Sequence, residues 1–236
     1  MDVHTTPPEP TLLEGLATTR AIRRYTDRAV TDSELATVLW HATRAPSGSN
    51  RQPFRFLVLR DGPRSRAARA LLAQAAHDVW STKRTSDGYD TGSGTDPTSP
   101  KSRLAATLQQ YADHVADAPV IVLAGLVRYR PPGPLEGASV YPACQNLLLA
   151  ARAVGLGGVL TQLHALVEDD LRPILAVPDD VGLHATITLG EPAGRHGPVR
   201  RRPLAELVYE DAWGDPAAWA VDPPGTRFTQ AGPPTR

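Results

Sequence analysis

Apolar and polar positions along the chain repeat with a period that switches between that of a helix and that of a strand. Residues 1–10 are expected to be disordered, and residues 11–21 can form a short helix. VTDSELATVLWHATRA is a better signalled helix. Thr31 stands at its cap, Glu34 at the capping-box position, and Leu35, Val38, Leu39 and Ala42 make an apolar stripe. In FRFLVLRD the period drops to two, with Phe54, Phe56 and Val58 facing one way, which predicts a strand. Residues 64–80 return to helix. Residues 81–100, STKRTSDGYDTGSGTDPTSP, are polar and rich in Gly, Ser and Thr. A connection of that length predicts a lid or a mobile segment.

Residues 102–117 read as helix. The continuous apolar run PVIVLAGLV, 119–127, reads as a strand buried on both faces. After the turn RPPGPLEG, residues 138–158 read as one long helix, apolar on most sides and broken by Gly155 and Gly157. So little polar face requires burial nearly all round, and a dimer interface is one place for it. EDDLRPIL predicts a short helix, HATITLGEP a strand, and RRRPLAELVYED a basic turn followed by an amphipathic piece. The proline-rich tail, 212–236, carries Trp213 and Trp219, so part of it is expected to pack on something. Helices and strands thus alternate without a clean βαβ repeat.

The length of 236 residues fits one domain with a sizeable core, or two small ones. Apolar residues at 41% and charged residues at 21% are ordinary for a globular chain. Basic and acidic residues balance at 25 each, so the charge predicts no nucleic-acid or anionic-membrane partner. Lys83 and Lys101 are the only lysines. The remaining positive charge is arginine, suited to bidentate contacts with phosphate and carboxylate. A codon bias gives the same excess, so each arginine is judged by context. Cys144 is the only cysteine, which excludes an intrachain disulfide and any cysteine cluster for zinc or iron–sulfur. No apolar run reaches the length of a membrane span. MDVHTTPPEP lacks the basic-then-apolar order of a signal peptide. A cytoplasmic location is therefore expected.

There is no P-loop, no G-x-S-x-G elbow and no H-E-x-x-H. GLGGVL, 155–160, lacks the third glycine of the dinucleotide fingerprint, and the seven histidines are scattered. Three features remain. TTRAIRRYTDRAV clusters Arg20, Arg23 and Arg24 where a helix gives way to an extended segment; a solvated basic turn has the same composition. RAPSGSNRQPFRFLVLRD places Ser47, Gly48, Ser49, Asn50, Arg51 and Gln52 directly ahead of a strand, as an ordinary turn or as a surface that grips something polar and flat. GPVRRRPLAEL holds Arg200, Arg201 and Arg202 in a row. Two arginine clusters and an amide-rich loop are what a phosphate-bearing flat cofactor needs, since arginine forks hold phosphate and amides satisfy ring donors and acceptors.

The order RAIRRY, APSGSNRQPFRFLVL, AxxNLLLAARAVGLG, ITLGEP, RRRPLAELV resembles the nitroreductase family of flavin enzymes over roughly residues 12–210. The P-S-x-x-N-x-Q-P loop downstream of an arginine-rich x-R-x-x-R-x-[FY] segment is the specific part of the signal. The resemblance implies an α+β fold, a three-layer sandwich with a central, mostly antiparallel sheet, in an intertwined homodimer with one FMN at each of two interface sites. The implied organisation is a disordered 1–10, an FMN-binding domain over 11–210 with 81–100 as its variable loop, and a C-terminal extension over 211–236 that packs on the partner subunit.

The family's site residues carry over as follows. Pro46, Ser47, Gly48, Asn50 and Gln52 are implied to hydrogen-bond the isoalloxazine or ribityl chain, reaching across from the partner. Arg20, Ala21 and Arg23 lie at the phosphate and pyrimidine end, and Arg200 or Arg201 closes on the phosphate. Gly157, Gly158 and Thr161 lie beside the flavin ring. Thr19 departs from the family, many members of which have a basic residue there, and 81–100 falls where the family varies its substrate-covering segment. The implied reaction takes electrons from NADH or NADPH through flavin N5 to a small organic acceptor, by a ping-pong mechanism in one pocket. It needs no catalytic side chain beyond a donor, Arg23, that stabilises the reduced flavin. A specialised dehydrogenase of natural-product assembly, a dehalogenase, a flavin-destroying enzyme and a non-catalytic flavin-binding module are the alternatives.

Overall fold

A computed structural model of the chain describes residues 9–229. Most of the segment expected to be disordered, and the last residues of the tail, lie outside that range. The element order is α1 (Leu12–Thr18), α2 (Asp32–Ala42), β1 (Phe54–Leu59), α3 (Pro63–Ser86), α4 (Pro100–His114), β2 (Val120–Val127), α5 (Tyr141–Ala153), β3 (Gly157–Thr161), α6 (Glu168–Leu175) and β4 (Val181–Gly190). The four strands form one sheet in the order β1-β2-β4-β3, and every neighbouring pair is antiparallel.

The apolar run of β2 has partners on both sides of the sheet because successive side chains point to opposite faces. Val120, Val122, Ala124 and Leu126 join the core beneath α2 and α5, together with Ala185, Ile187 and Leu189 of β4. Ile121 and Leu123 join the second core, beneath α3, α4 and α6. Helices therefore cover both faces, and the architecture is the expected α+β sandwich of three layers. α2 starts as its sequence predicts: Glu34 N–H donates to Thr31 Oγ1 at 3.2 Å, and Glu34 Oε2 accepts from Thr31 N–H at 2.9 Å.

Two boundaries depart from the sequence reading. α3 runs on to Ser86, so the first six residues of the polar 81–100 stretch are helical. No Gly or Pro interrupts them before Gly88, and Lys83 pairs with Asp87 one turn on. The rest of the stretch is held by local bonds. Ser99 Oγ donates to Ser93 O at 2.5 Å, Asp96 Oδ1 accepts from Thr98, and the buried Tyr89 packs on Trp80 at 5.2 Å.

The second correction concerns residues 138–158, which are not one helix. α5 ends at Ala153, Gly155 turns the chain at φ 80°, and Gly157 and Gly158 open a strand, β3, that the glycines concealed. Nor is α5 buried all round within one subunit. Ala143, Cys144, Leu147, Ala150 and Ala151 face the core, while Tyr141 and Gln145 are exposed and Asn146, Leu148 and Leu149 are half-buried.

The core also holds polar groups. His164 is buried and meets Thr186 Oγ1 through both its backbone N–H and ring Nδ1, each at 3.1 Å. Burial, the largest cause in each case, depresses the pKa values of His164, His184 and His196. A folded-state pKa below the unfolded value of about 6.5 means that the unfolded chain binds more protons just below that pH. Stability is then full above about pH 6.5 and is lost as pH falls. Urea unfolding across pH 8 to 5 is expected to show a falling midpoint below pH 6.5, ahead of carboxylate protonation; a flat profile to pH 5 contradicts the assignment.

Candidate functional site

The segment after α1 is tied to the far end of the sheet. Ile22 N–H donates to Gly158 O at 2.9 Å, Thr26 N–H to Glu191 O at 3.0 Å, and Ala193 N–H to Arg24 O at 3.0 Å; Tyr25 bridges to Pro192. Gly157 makes this approach possible, and Gly158 the close pairing of β3 with β4. A Cβ on Gly157 would stand 2.6 Å from Ile22 Cγ1, and one on Gly158 would stand 2.5 Å from Thr188 O. Arg20, Ala21 and Arg23 therefore lie against the start of β3, with Arg20 and Ala21 exposed and Arg23 half-buried. Thr161 sits at the other end of β3, its hydroxyl donating to Thr186 O at 3.1 Å.

Beneath Arg23 lies a buried hydroxyl network. Tyr25 Oη is 2.8 Å from Ile22 O and 2.7 Å from Thr188 Oγ1, which is also 3.3 Å from Tyr111 Oη. Burial drives both phenol pKa values upward, while the Arg23 charge pulls them down. Tyr25 and Tyr111 are thus neutral at working pH and hold the floor under Arg23.

The chain after β4 returns to the same place. Gly197 N–H donates to Thr18 O at 3.2 Å and Val199 N–H to Ala17 O at 3.1 Å. This brings His196 to the start of β3, where its Nε2 lies 3.3 Å from Leu156 O. Arg200 and Arg201 follow and are exposed; Arg201 bridges to Phe228, and its Nη1 donates to Arg200 O. Thr19 Oγ1, Arg152 Nε and His196 Nδ1 are buried without a hydrogen-bond partner. Sequence reasoning missed Arg152 and His196. The one signal for Arg152 is an arginine closing an otherwise apolar helix.

The amide-rich loop is elsewhere. It connects α2 to β1. Pro46, Gly48, Asn50 and Gln52 are exposed and Ser47 is half-buried. Ser49, Asn50 and Gln52 have φ of 52°, 50° and 50°, a conformation that non-glycine residues adopt rarely. Ser47 Oγ accepts from Gln52 N–H at 2.9 Å, and Gln52 Nε2 donates to Asn50 Oδ1 at 3.2 Å, so the loop is internally braced. Arg51 stacks over Tyr129, 4.5 Å from the ring centre. Strained, braced and exposed backbone of this kind clusters at binding sites.

The two halves of the predicted site do not meet within the chain. β1 and β3 are the two edges of the sheet. Phe54 is level with Leu126 and Gly182, whereas Gly157 is level with Gly190. By strand geometry the loop and the glycines stand about 14 Å apart across the sheet and about 25 Å apart along it. Two openings flank the arginine segment. A polar cleft of about 870 Å³ is lined by Arg23, Arg24, Arg60, Gln110 and His114. A groove of about 610 Å³ lies between α1, α2 and α5, lined by Leu12, Gly15, Thr37, His41, Leu149 and Val154. Among the described residues no helix is long and apolar enough to cross a membrane.

An antiparallel sheet sandwiched by helices, with arginines and close-approach glycines gathered at one edge, defines an α+β fold with a basic edge. The chain belongs to the nitroreductase family, whose model matches residues 16–191. A Desulfovibrio desulfuricans protein assigned as a nitroreductase and solved in complex with FMN is 33% identical, with TM-score 0.63 over 86% of this chain and 98% of that one. The FMN- and NADPH-dependent nitroreductase NfnB of Sphigopyxis sp. strain HMH is 26% identical, with TM-score 0.65 over 86% of this chain and 100% of that one. A Thermus thermophilus NADH dehydrogenase is 27% identical over 210 residues, 80% of this chain and 90% of that protein.

Gly158→Ala is expected to lower stability by about 1–3 kcal/mol, because the added methyl meets backbone that cannot move away. Gly48 has open space at its Cβ position, so Gly48→Ala is expected to fall within about 0.5 kcal/mol of the parent. Paired urea titrations read the difference, and equal midpoints contradict the close approach.

Proposed function

We propose that the protein is an FMN-dependent NAD(P)H oxidoreductase that works as a homodimer, each flavin site being completed by the Pro46–Gln52 loop of a second copy. The observation that carries this reading is the separation of the two halves of the site at opposite corners of one sheet. Each half is shaped for a ligand that its own chain cannot bring to the other. The apolar side of α5 left open to the groove, and the exposed Leu12, Leu13 and Trp40, supply the surface on which two copies join. The exposure of Trp213, at 93%, and of Trp219 supports a C-terminal extension that packs on the partner subunit as well.

The residues at the β3 edge fit the cofactor. Buried polar atoms without partners, Thr19 Oγ1, Arg152 Nε and His196 Nδ1, lie near the arginines of this edge and would suit an anion. Arg20, with Arg200 or Arg201, would hold the phosphate, Arg23 the pyrimidine end, and Thr161 the ring's other flank. The chemistry that bound FMN supplies is hydride acceptance at N5 and electron release to a second substrate. Arg23, held by the tyrosine floor, contributes positive charge where the reduced ring becomes anionic. The 87–99 segment and the partner's loop exclude water. One pocket serves donor and acceptor in turn, which gives ping-pong kinetics with a nitroaromatic, quinone or activated alkene. The related proteins' names include both NADH and NADPH, and a cytoplasmic setting supplies either donor.

Arg23→Ala is expected to weaken FMN binding by about 1.5–3 kcal/mol, roughly ten- to hundredfold. Arg51, engaged with Tyr129 of its own chain, is expected to matter little to the flavin: Arg51→Ala should stay within about 0.5 kcal/mol. Flavin fluorescence titration of the apo-protein measures both, and equal losses refute the role of Arg23. Sedimentation equilibrium is expected to show a dimer; a stable monomer that retains FMN excludes the shared site.

A further inference from the structure

One end of the site concentrates positive charge with nothing to balance it. Arg20, Arg152 and His196 come from three elements: the segment after α1, the last turn of α5, and the loop after β4. The charges of Arg152 and Arg20 both bear on His196. A Cβ on the neighbouring Gly197 would lie 3.9 Å from Arg20 Nη1. Among the described residues no carboxylate forms an ion pair with any of the three, and Thr19 Oγ1, Arg152 Nε and His196 Nδ1 are shut off from water and unpaired. An arginine in the last turn of a helix is ordinary, since the dipole favours a cation there. The dipole does not account for a buried, unpaired Nε, nor for a second arginine and an unpaired imidazole nitrogen around it. An anion with several acceptor oxygens satisfies all of these groups at once.

We propose that Thr19, Arg20, Arg152 and His196 form the pocket for a phosphate monoester, the terminal phosphate of FMN, with Arg152 and His196 as phosphate ligands. The assignment rests on the FMN reading above. It also replaces what Thr19 removes from the family's usual basic position: the charge comes from α5 and from the loop after β4 instead.

The tautomer of His196 gives the pocket a second property. Nε2–H donates to Leu156 O, so in the neutral ring Nδ1 is a bare acceptor. A phosphate oxygen is also an acceptor, and contact between them requires a proton on Nδ1, taken from solvent as the phosphate enters. The groups facing the ring are Arg152 from α5, Arg20 from the segment after α1, and the Leu156 carbonyl ahead of β3. Without an anion, burial and the two arginines keep His196 below the ordinary histidine range. A phosphate dianion opposes that field, so FMN binds with proton uptake and more tightly at pH 6 than at pH 8.

Apo-protein titrated with FMN and with riboflavin, which lacks only the phosphate, tests the assignment by flavin fluorescence. Arg152→Met and His196→Gln are each expected to weaken FMN roughly ten- to hundredfold and to leave riboflavin affinity within about threefold. Retained riboflavin binding shows that the variants fold. Between pH 8 and pH 6 the gain in FMN affinity is expected to be larger for the parent than for His196→Gln. Inorganic phosphate should compete with FMN but not with riboflavin, and should lose that effect in Arg152→Met. Variants that keep the parent's FMN-to-riboflavin ratio, or lose both flavins equally, overturn the assignment while the FMN reading stands. A parent protein that binds neither flavin sinks the FMN reading, and the assignment with it.

Discussion

The bond from Ile22 N–H to Gly158 O organises the functional end of the molecule. It exists because Gly157 lets the Ile22 segment lie against β3 without a Cβ between them. From that contact the segment carrying Arg20, Arg23 and Tyr25 takes its place along the edge of β3 and the end of β4. The loop after β4 then closes over the end of α1 through Gly197 and Val199. Three stretches far apart in sequence thus share one small volume.

The sheet sets a second constraint. Its outer strands are β1 and β3, so whatever β1 presents is kept a full sheet width from whatever β3 presents. A loop braced in an uncommon backbone conformation at one corner, and a basic cluster at the other, are the two halves of the proposed ligand site. In the proposed homodimer the halves combine through the groove beside α5 and the exposed apolar side chains of α1 and α2, buried as the same surface on two copies.

Polar residues in the core are tied to the same end. Thr188 and Thr186 are themselves fully buried on β4, where an unpaired hydroxyl would be costly. Tyr25 and Tyr111 pair with the first, His164 with the second. The tyrosine–Thr188 pairing lies near Arg23, and burial beside Thr186 favours the neutral form of the His164 imidazole.

The chain's local patterns were enough to show α2 with its capping box, β2 as a strand buried on both faces, and the α+β class. They were also enough to show the family, since its motifs are short runs with strict spacing around Arg23 and around Asn50. β3 was not legible, because a strand that begins Gly-Gly after a helix looks like the helix's end; only pairing with β4 reveals it. The helical 81–86 was hidden by polar composition, which says nothing of propensity when no Gly or Pro intervenes. Arg152 and His196 were beyond sequence reading altogether. Each is ordinary where it stands in the chain, and becomes a site residue only when α5, the loop after β4 and the segment at Thr19 converge and leave their polar atoms dry and unpaired. Sequence by itself determined which short segments could grip a phosphate-bearing ring. Tertiary structure decided that they lie at two corners of one sheet, because strand order depends on pairings between residues 25 to 72 positions apart and no local period records them.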